Sequence, residues 1–371
     1  MIRKFFLVCV SAAVFGMLVL PSAIVNGSGA GGPVASMEGP GDNWPEEASV
    51  WHDFPAVVDI LEDTERSHSS IAKVYDIGDS WEKKNGIPGA EGRDILAIKI
   101  SDNVGVEENE PEVLLIAHLH AGEMAPTEIM LCLIENLTDL YGVDERITAL
   151  VNERETWIIP VANPDGMEYA LHVDDTWRKN RRDNGDDTFG VDLNRNFDGA
   201  QTDDAAGDWG GAGTSDDTSS PVYCGASAFS EPETEAIRDL VLSHDFQYAA
   251  DFHGTAQWLM WPWGYTAEPT PDNDDLVSVG MELAELTGYY ASQSSEMYPT
   301  TGDSLDWLYG AADVYAYCIE VGGWYNNVHT VGPYFEWVAV ISGDVERAIQ
   351  EDLAGNIAAA LYLIDVAANR S

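Results

Sequence analysis

The apolar run Val113-Leu-Leu-Ile-Ala117 has the length and residue types of a β-strand, and it breaks off at His118-Leu-His120-Ala-Gly-Glu123. An imidazole and a carboxylate therefore stand where a strand gives way to a loop. A second short run, Tyr248-Ala-Ala-Asp-Phe-His253-Gly, ends on a histidine in the same manner. Two imidazoles and one carboxylate leave one place open in a four-coordinate shell, the ligand pattern of a catalytic rather than a structural zinc site. His120, Glu123 and His253 are accordingly the candidate ligands of one Zn²⁺. The H-x-x-E spacing alone carries little weight, because such pairs recur by chance in surface loops.

Strand and helix patterns alternate around these residues. The periodicity predicts a helix over 54–67, strands over 71–75 and 95–100, a strand over 113–119 and a helix over 127–141. The alternation continues through 156–162, 232–243, 246–252, 274–287, 314–319 and 343–367. This is an α/β order with no linker to divide it, and 371 residues of 45% hydrophobic content are ample for one large core. The stretch 198–220, dense in Gly, Asp and Thr, reads as a long surface loop. Its carboxylates could bind calcium, but they do not fall at the spacing of a recognised calcium loop.

The start, Met1-Ile-Arg-Lys4 followed by an apolar stretch and small residues, reads as a secretory signal over 1–30. Its apolar run is also long enough to remain as a membrane anchor, so both readings stand open. Residues 31–46, rich in Gly and Pro, read as a flexible leader without room for a folded pro-region, and 47–371 as the catalytic domain. The formal charge of −46, from 64 acidic against 18 basic residues, excludes nucleic acid as a partner. It suits a saline exterior or simply an acidic exported protein. Of four cysteines, Cys9 leaves with the signal; Cys132 and Cys318, in apolar segments, read as free buried thiols.

Five separated motifs then agree in order and approximate spacing. They are His120-Ala-Gly-Glu123, Trp177-Arg-Lys-Asn-Arg181, Gly190-Val-Asp-Leu-Asn-Arg195-Asn-Phe-Asp198, Tyr298 with Ser304-Leu-Asp-Trp307, and Glu320. From about Trp51 onward the chain resembles the zinc carboxypeptidases of the carboxypeptidase A/B type. The resemblance implies a single domain with a mixed, twisted sheet covered by helices on both faces, and removal of C-terminal residues from peptides and proteins.

It also implies roles. Glu320 matches the general base and Arg181 the arginine that stabilises the tetrahedral oxyanion. Arg178 matches an additional substrate-binding arginine, whereas Arg182 has no counterpart and reads as a surface charge. Arg195, with the amide of Asn194, matches the grip on the terminal carboxylate, and Tyr298 a mobile tyrosine that closes over the bound residue. Asp192 matches a carboxylate that orients the first zinc histidine, a plain turn aspartate being the alternative. His118 occupies a position usually filled by glycine and is expected to pack rather than to ligate. Leu305 disfavours a strict basic preference. Asp303 resembles the pocket of carboxypeptidase T-like bacterial enzymes, whose preference is mixed apolar and basic. Gly122 stands where an arginine is common, and the sequence after Glu320 is less charged than usual.

Two other classes remain open at this point: a zinc amidase or deacylase of the aspartoacylase kind, which shares the ligand triad, and a non-catalytic secreted binding protein on the same fold. The first would not account for Asn194, Arg195 and Tyr298 together. The second normally needs a lost base or ligand.

Overall fold

The computed structural model describes residues 51–106, 108–254, 256–322 and 345–370, so the expected signal and leader lie outside the described residues. Eight strands form one sheet: β1 (Ala72–Asp79), β2 (Asp94–Ile100), β3 (Glu112–Ala117), β4 (Glu155–Ile159), β5 (Phe246–Gly254), β6 (Trp258–Trp261), β7 (Tyr290–Gln293) and β8 (Tyr315–Val321). Their spatial order is β1-β2-β4-β3-β5-β8-β6-β7. Strands β4, β3, β5 and β8 run parallel, whereas β1 pairs antiparallel with β2, β2 with β4 and β6 with β8. The sheet is thus mixed, with its parallel part at the centre.

Parallel strands need both faces covered, and the alternation of side chains along β3 shows how this is met. Val113, Leu115 and Ala117 enter one apolar cluster; Leu114 and Ile116 enter the other. The first is closed by helices α1 (Phe54–Ser67), α3 (Ala125–Asp139), α7 (Asn273–Thr287) and α9 (Val345–Val366). The second is closed by α6 (Pro232–Ser243) and α8 (Ser304–Gly310). Helices α2 (Trp81–Lys84), α4 (Glu145–Glu153) and α5 (Pro164–His172) complete the described set. Helix α1 shows how such an element is specified: Asp53 caps it by accepting from Ala56 N at 2.9 Å, and Phe54, Val57 and Leu61 form its buried stripe.

Strand β3 stops at Ala117 rather than at the expected Leu119, because His118 turns the chain with φ of 64°. The four-residue strands β6 and β7 are too short for any periodicity to announce them. Cys224 and Cys318 are buried free thiols, as expected for Cys318.

A buried polar knot ties the Arg178–Arg182 stretch to helix α6. Asn180 Nδ2 donates to Glu231 Oε2 at 2.8 Å and to Glu233 Oε2 at 3.2 Å, and Arg182 donates to Glu231 Oε1 at 2.7 Å. Arg182 is therefore no free surface charge; it neutralises a fully buried glutamate. Glu233 also accepts from Trp81 N at 2.8 Å, and burial, with Asp165 and Glu231 beside it, pushes its carboxyl up to about 8. The folded chain then holds a proton that the unfolded chain releases, so stability falls as pH climbs from about 4.5 to about 8. Gln at this position has no such proton. The unfolding free energy of Glu233→Gln minus that of wild type should rise by a few kcal/mol across that window and level off above it. Denaturant titrations at a series of pH values test this, and a flat difference would remove Glu233 as a raised acid.

Candidate active site

The carboxyl ends of β3, β5 and β8 lie side by side, and this is where the candidate ligand residues meet. Parallel pairing of β5 with β8 sets His253 directly beside Glu320, and β5 flanks β3, from whose end His120 and Glu123 follow. Short loops can fold there because the strand ends expose free backbone groups, the usual setting of sites in open α/β sheets. The turn closes with Glu123 N donating to His120 O at 3.1 Å, and Ala121 N donating to Arg178 O at 3.0 Å fastens it to the arginine segment. Asn163 braces both from below, its Nδ2 donating to Leu119 O at 3.0 Å and Lys179 O at 3.2 Å.

His120 Nδ1 stands 2.9 Å from Glu123 Oε1 and 3.0 Å from His253 Nδ1, and His253 Nδ1 stands 3.1 Å from Glu123 Oε2. Two ring nitrogens so close, facing one carboxylate, have too few protons to satisfy one another when neutral. A cation removes that conflict, and the donor set of two imidazoles and one carboxylate suits Zn²⁺. Burial alone would raise Glu123's carboxyl, yet His120 and His253 hold it well below the usual range.

Each histidine is held by its other nitrogen. His120 Nε2 lies 3.2 Å from Asp192 Oδ1, the partner expected from the sequence. His253 Nε2 lies 2.9 Å from Asp251 Oδ2, a partner the sequence reading missed. Strand periodicity could have revealed it, since residues two apart share a face. His118 is fully buried and packs as expected, with Nδ1 3.0 Å from Thr127 Oγ1 and Nε2 3.0 Å from the Ala121 carbonyl. Its left-handed backbone explains why glycine suits this position. Burial lowers its ring to about 4, leaving it neutral.

A cleft opens beside these ligands, lined among others by His120, Arg178, Arg195, Tyr298, Asp303 and Glu320. Arg178 donates from Nε to Asp192 Oδ2 at 2.9 Å, and its Nη1 comes within 3.9 Å of Glu123 Oε1. Burial would weaken its charge, but Asp192 and Glu123 hold the guanidinium firmly protonated. Arg181 is not in the cleft, contrary to expectation. Its guanidinium stacks 3.7 Å from the Tyr169 ring and 4.8 Å from Trp177, with Glu82 at 3.8 Å from Nε. The buried amide of Asn180 anchors the chain between the two arginines, and they meet different partners, Asp192 for Arg178 and the aromatic rings for Arg181.

Arg195 reaches the cleft from a short 3-10 turn, Leu193–Arg195. It donates to Gly213 O at 3.1 Å, to Asn194 O, and to Tyr298 Oη at 3.1 Å. Gly302, with φ of 72°, lets the Tyr298–Ser304 segment press against it, for a Cβ there would lie 2.5 Å from Arg195 O. Asn194 lines the cleft, but its amide is turned inward, accepting from Ser304 N at 2.9 Å and lying 3.1 Å from His253 Nε2. Glu320 faces the cleft, and burial beside Glu123 raises its carboxyl above the usual value. Asp303 and Leu305 flank Ser304 at the start of α8. Asp303 Oδ1 accepts from Asp306 N at 2.8 Å, while Oδ2 is buried without a hydrogen-bond partner among the described residues. Met260, Met297 and Cys318 add apolar surface that the sequence reading had not assigned.

The zinc carboxypeptidase family model matches residues 57–329. A zinc carboxypeptidase of Saccharothrix mutabilis subsp. capreolus is 32% identical over 75% of this chain and 63% of its own length, and mouse carboxypeptidase A4 is 29% identical over 73% and 62%. The chain thus spans about three fifths of the length of these curated relatives. Among solved structures, thrombin activatable fibrinolysis inhibitor superposes with a TM-score of 0.73 at 22% identity, covering 86% of this chain and 75% of that one. Carboxypeptidase A of Helicoverpa armigera gives 0.66 at 26% identity, over 84% and 74%. With the family model matching most of its length, the chain belongs to the zinc carboxypeptidase family.

Proposed function

We propose that this protein is a zinc-dependent carboxypeptidase that hydrolyses the last peptide bond of peptides and proteins. The observation that carries the reading is the convergence of His120, Glu123 and His253 beside a cleft that also holds Arg178, Arg195 and Glu320. In this reading residues 1–30 direct export, 31–46 form a leader and 47–371 the catalytic domain, and the formal charge of −46 suits the exterior.

When bound, zinc supplies a Lewis acid for the scissile carbonyl and a water of near-neutral pKa. Glu320, a raised carboxylate at a strand end, takes a proton from the attacking water and returns it to the departing amine nitrogen. Arg178 receives the role expected of Arg181, since its fixed charge faces the place where the oxyanion develops. Arg195 grips the terminal carboxylate, and Tyr298, with 47% of its surface exposed beside Arg195, closes over the bound residue. Asn194 contributes by holding Ser304 in place, its amide being engaged there.

The test pairs peptides with free and amidated C-termini. Zinc-loaded wild type should release residues from free ends alone and lose this activity to a chelator. Glu320→Gln should bind zinc but lose about two orders of magnitude in kcat. Cleavage of amidated peptides at the same rate would point to an amidase or endopeptidase, and no turnover of any peptide to a binding protein.

The two arginines separate in a second measurement. Arg178→Ala should lower kcat by about 10²–10³-fold, as loss of an oxyanion donor does, whereas Arg181→Ala should act mainly on stability. The opposite order would return the role to Arg181.

Side-chain preference follows from Leu305 and Asp303. Leu305 favours apolar C-terminal residues, and the unpartnered Oδ2 of Asp303 gives Lys or Arg a charge to meet. Burial raises the Asp303 carboxyl to about 6, so it is charged above that pH and neutral below. The kcat/KM ratio of Lys to Leu ends should therefore grow as pH rises through about 6. In Asp303→Asn that pH dependence should vanish, and the ratio should fall by about tenfold or more, the scale of a partly buried charge pair. Equal losses for both substrates would make Asp303 only the cap of α8.

A further inference from the structure

His253 can ligate through Nδ1 only if that nitrogen is bare, so its ring proton must sit on Nε2 and find an acceptor there. Among the described residues, two groups face Nε2. Asp251 Oδ2, fully buried, lies at 2.9 Å, and Asn194 Nδ2 at 3.1 Å. The amide of Asn194 is oriented by its own partner: Oδ1 accepts from Ser304 N at 2.9 Å, which leaves the NH₂ group toward the imidazole. Asn194 is therefore a donor and cannot take the ring proton; left alone with the histidine, it would favour the tautomer that places the proton on Nδ1. Asp251 is the acceptor that reverses this preference.

The same oxygen of Asp251 accepts from Ser304 Oγ at 2.5 Å. Ser304 opens α8, between Asp303 and Leu305 of the cleft wall. One carboxylate oxygen thus joins a ligand ring to the segment that lines the substrate side. Its place is set by secondary structure, because Asp251 and His253 stand two apart on β5 and share a face.

We propose that Asp251 is a positioning residue that selects the zinc-binding tautomer of His253 against the competing amide of Asn194. The inference rests on the zinc reading above and adds a residue to it.

The experiment measures the zinc dissociation constant by competition with a chromophoric chelator, independently of turnover. Asp251→Ala should weaken zinc by about 10–100-fold, the usual scale for a lost partner of a ligating histidine, and the isosteric Asp251→Asn should also weaken it by about tenfold. Ser304→Ala removes the other hydrogen bond to the same oxygen and should leave zinc affinity within about twofold of wild type. Adding Asn194→Ala to Asp251→Ala removes the competing donor and should recover part of the lost affinity, an effect that a purely structural aspartate would not show. Both Asp251 variants binding zinc as tightly as wild type, Ser304→Ala weakening it equally, or no recovery in the double variant would each overturn the proposal. Asp251→Asn carries the test should the alanine variant fail to fold. A wild-type chain that takes up no zinc would instead overturn the zinc reading itself.

Discussion

Parallel pairing of β3, β5 and β8 is the constraint on which the site depends. It brings His253 and Glu320 abreast and sets the His120–Glu123 turn beside them, although these residues are far apart in the chain. Strands paired this way must bury both faces, and the two apolar clusters that do so leave only the strand ends free for polar chemistry. A slip of β8 by one residue would turn Glu320 to the other face and bury it in apolar surroundings. The core is thus the device that sets the distance between Glu320 and the cluster of His120, Glu123 and His253.

Negative charge accumulates at the centre of the protein as well as on its surface. Glu123, Asp192, Asp251, Asp303, Asp306 and Glu320 lie within or just behind the site, and most are fully buried. Cations and hydrogen-bond donors divide them into groups of different character. Asp192, despite burial, is held ionised by Arg178 and His120, while Asp306, with only backbone donors and Asp303 beside it, is raised well above the ordinary range. Neighbouring carboxylates can then have separate duties, because each one's partners decide whether it keeps its charge.

The arginine segment shows where a linear pattern misleads. Trp177-Arg-Lys-Asn-Arg181 offers two guanidiniums of equal chemical standing, and their order alone does not say which one faces the cleft. Asn180, buried and tied to Glu231, Glu233 and Val191, decides it by fixing the backbone between them. Arg178 is left against Asp192, and Arg181 enters an aromatic cage of Tyr169 and Trp177. The partners of Asn180 lie up to 53 residues away, beyond the reach of local spacing.

The α/β order was legible in the sequence because apolar periodicity is local: β3, β5, β8 and helices α1, α3 and α6 all announce themselves by runs or stripes. So was the meeting of His120, Glu123 and His253, which follow or end strand patterns, since the ends of adjacent parallel strands lie together, whereas Glu320 is legible only through the family resemblance. The short strands β6 and β7, the turn at His118 and the placement of Asp251 beside His253 were not legible. These depend on which side chain or backbone group comes from elsewhere to meet them: Thr127 and the Ala121 carbonyl at His118, Asn194 and Ser304 at His253 and Asp251. Residue types and their periodicity determined which elements form and which chemistry they can carry. Tertiary contact decided which guanidinium faces the cleft, which nitrogen keeps the proton and which carboxylate keeps its charge, because those outcomes are set by partners distant in sequence.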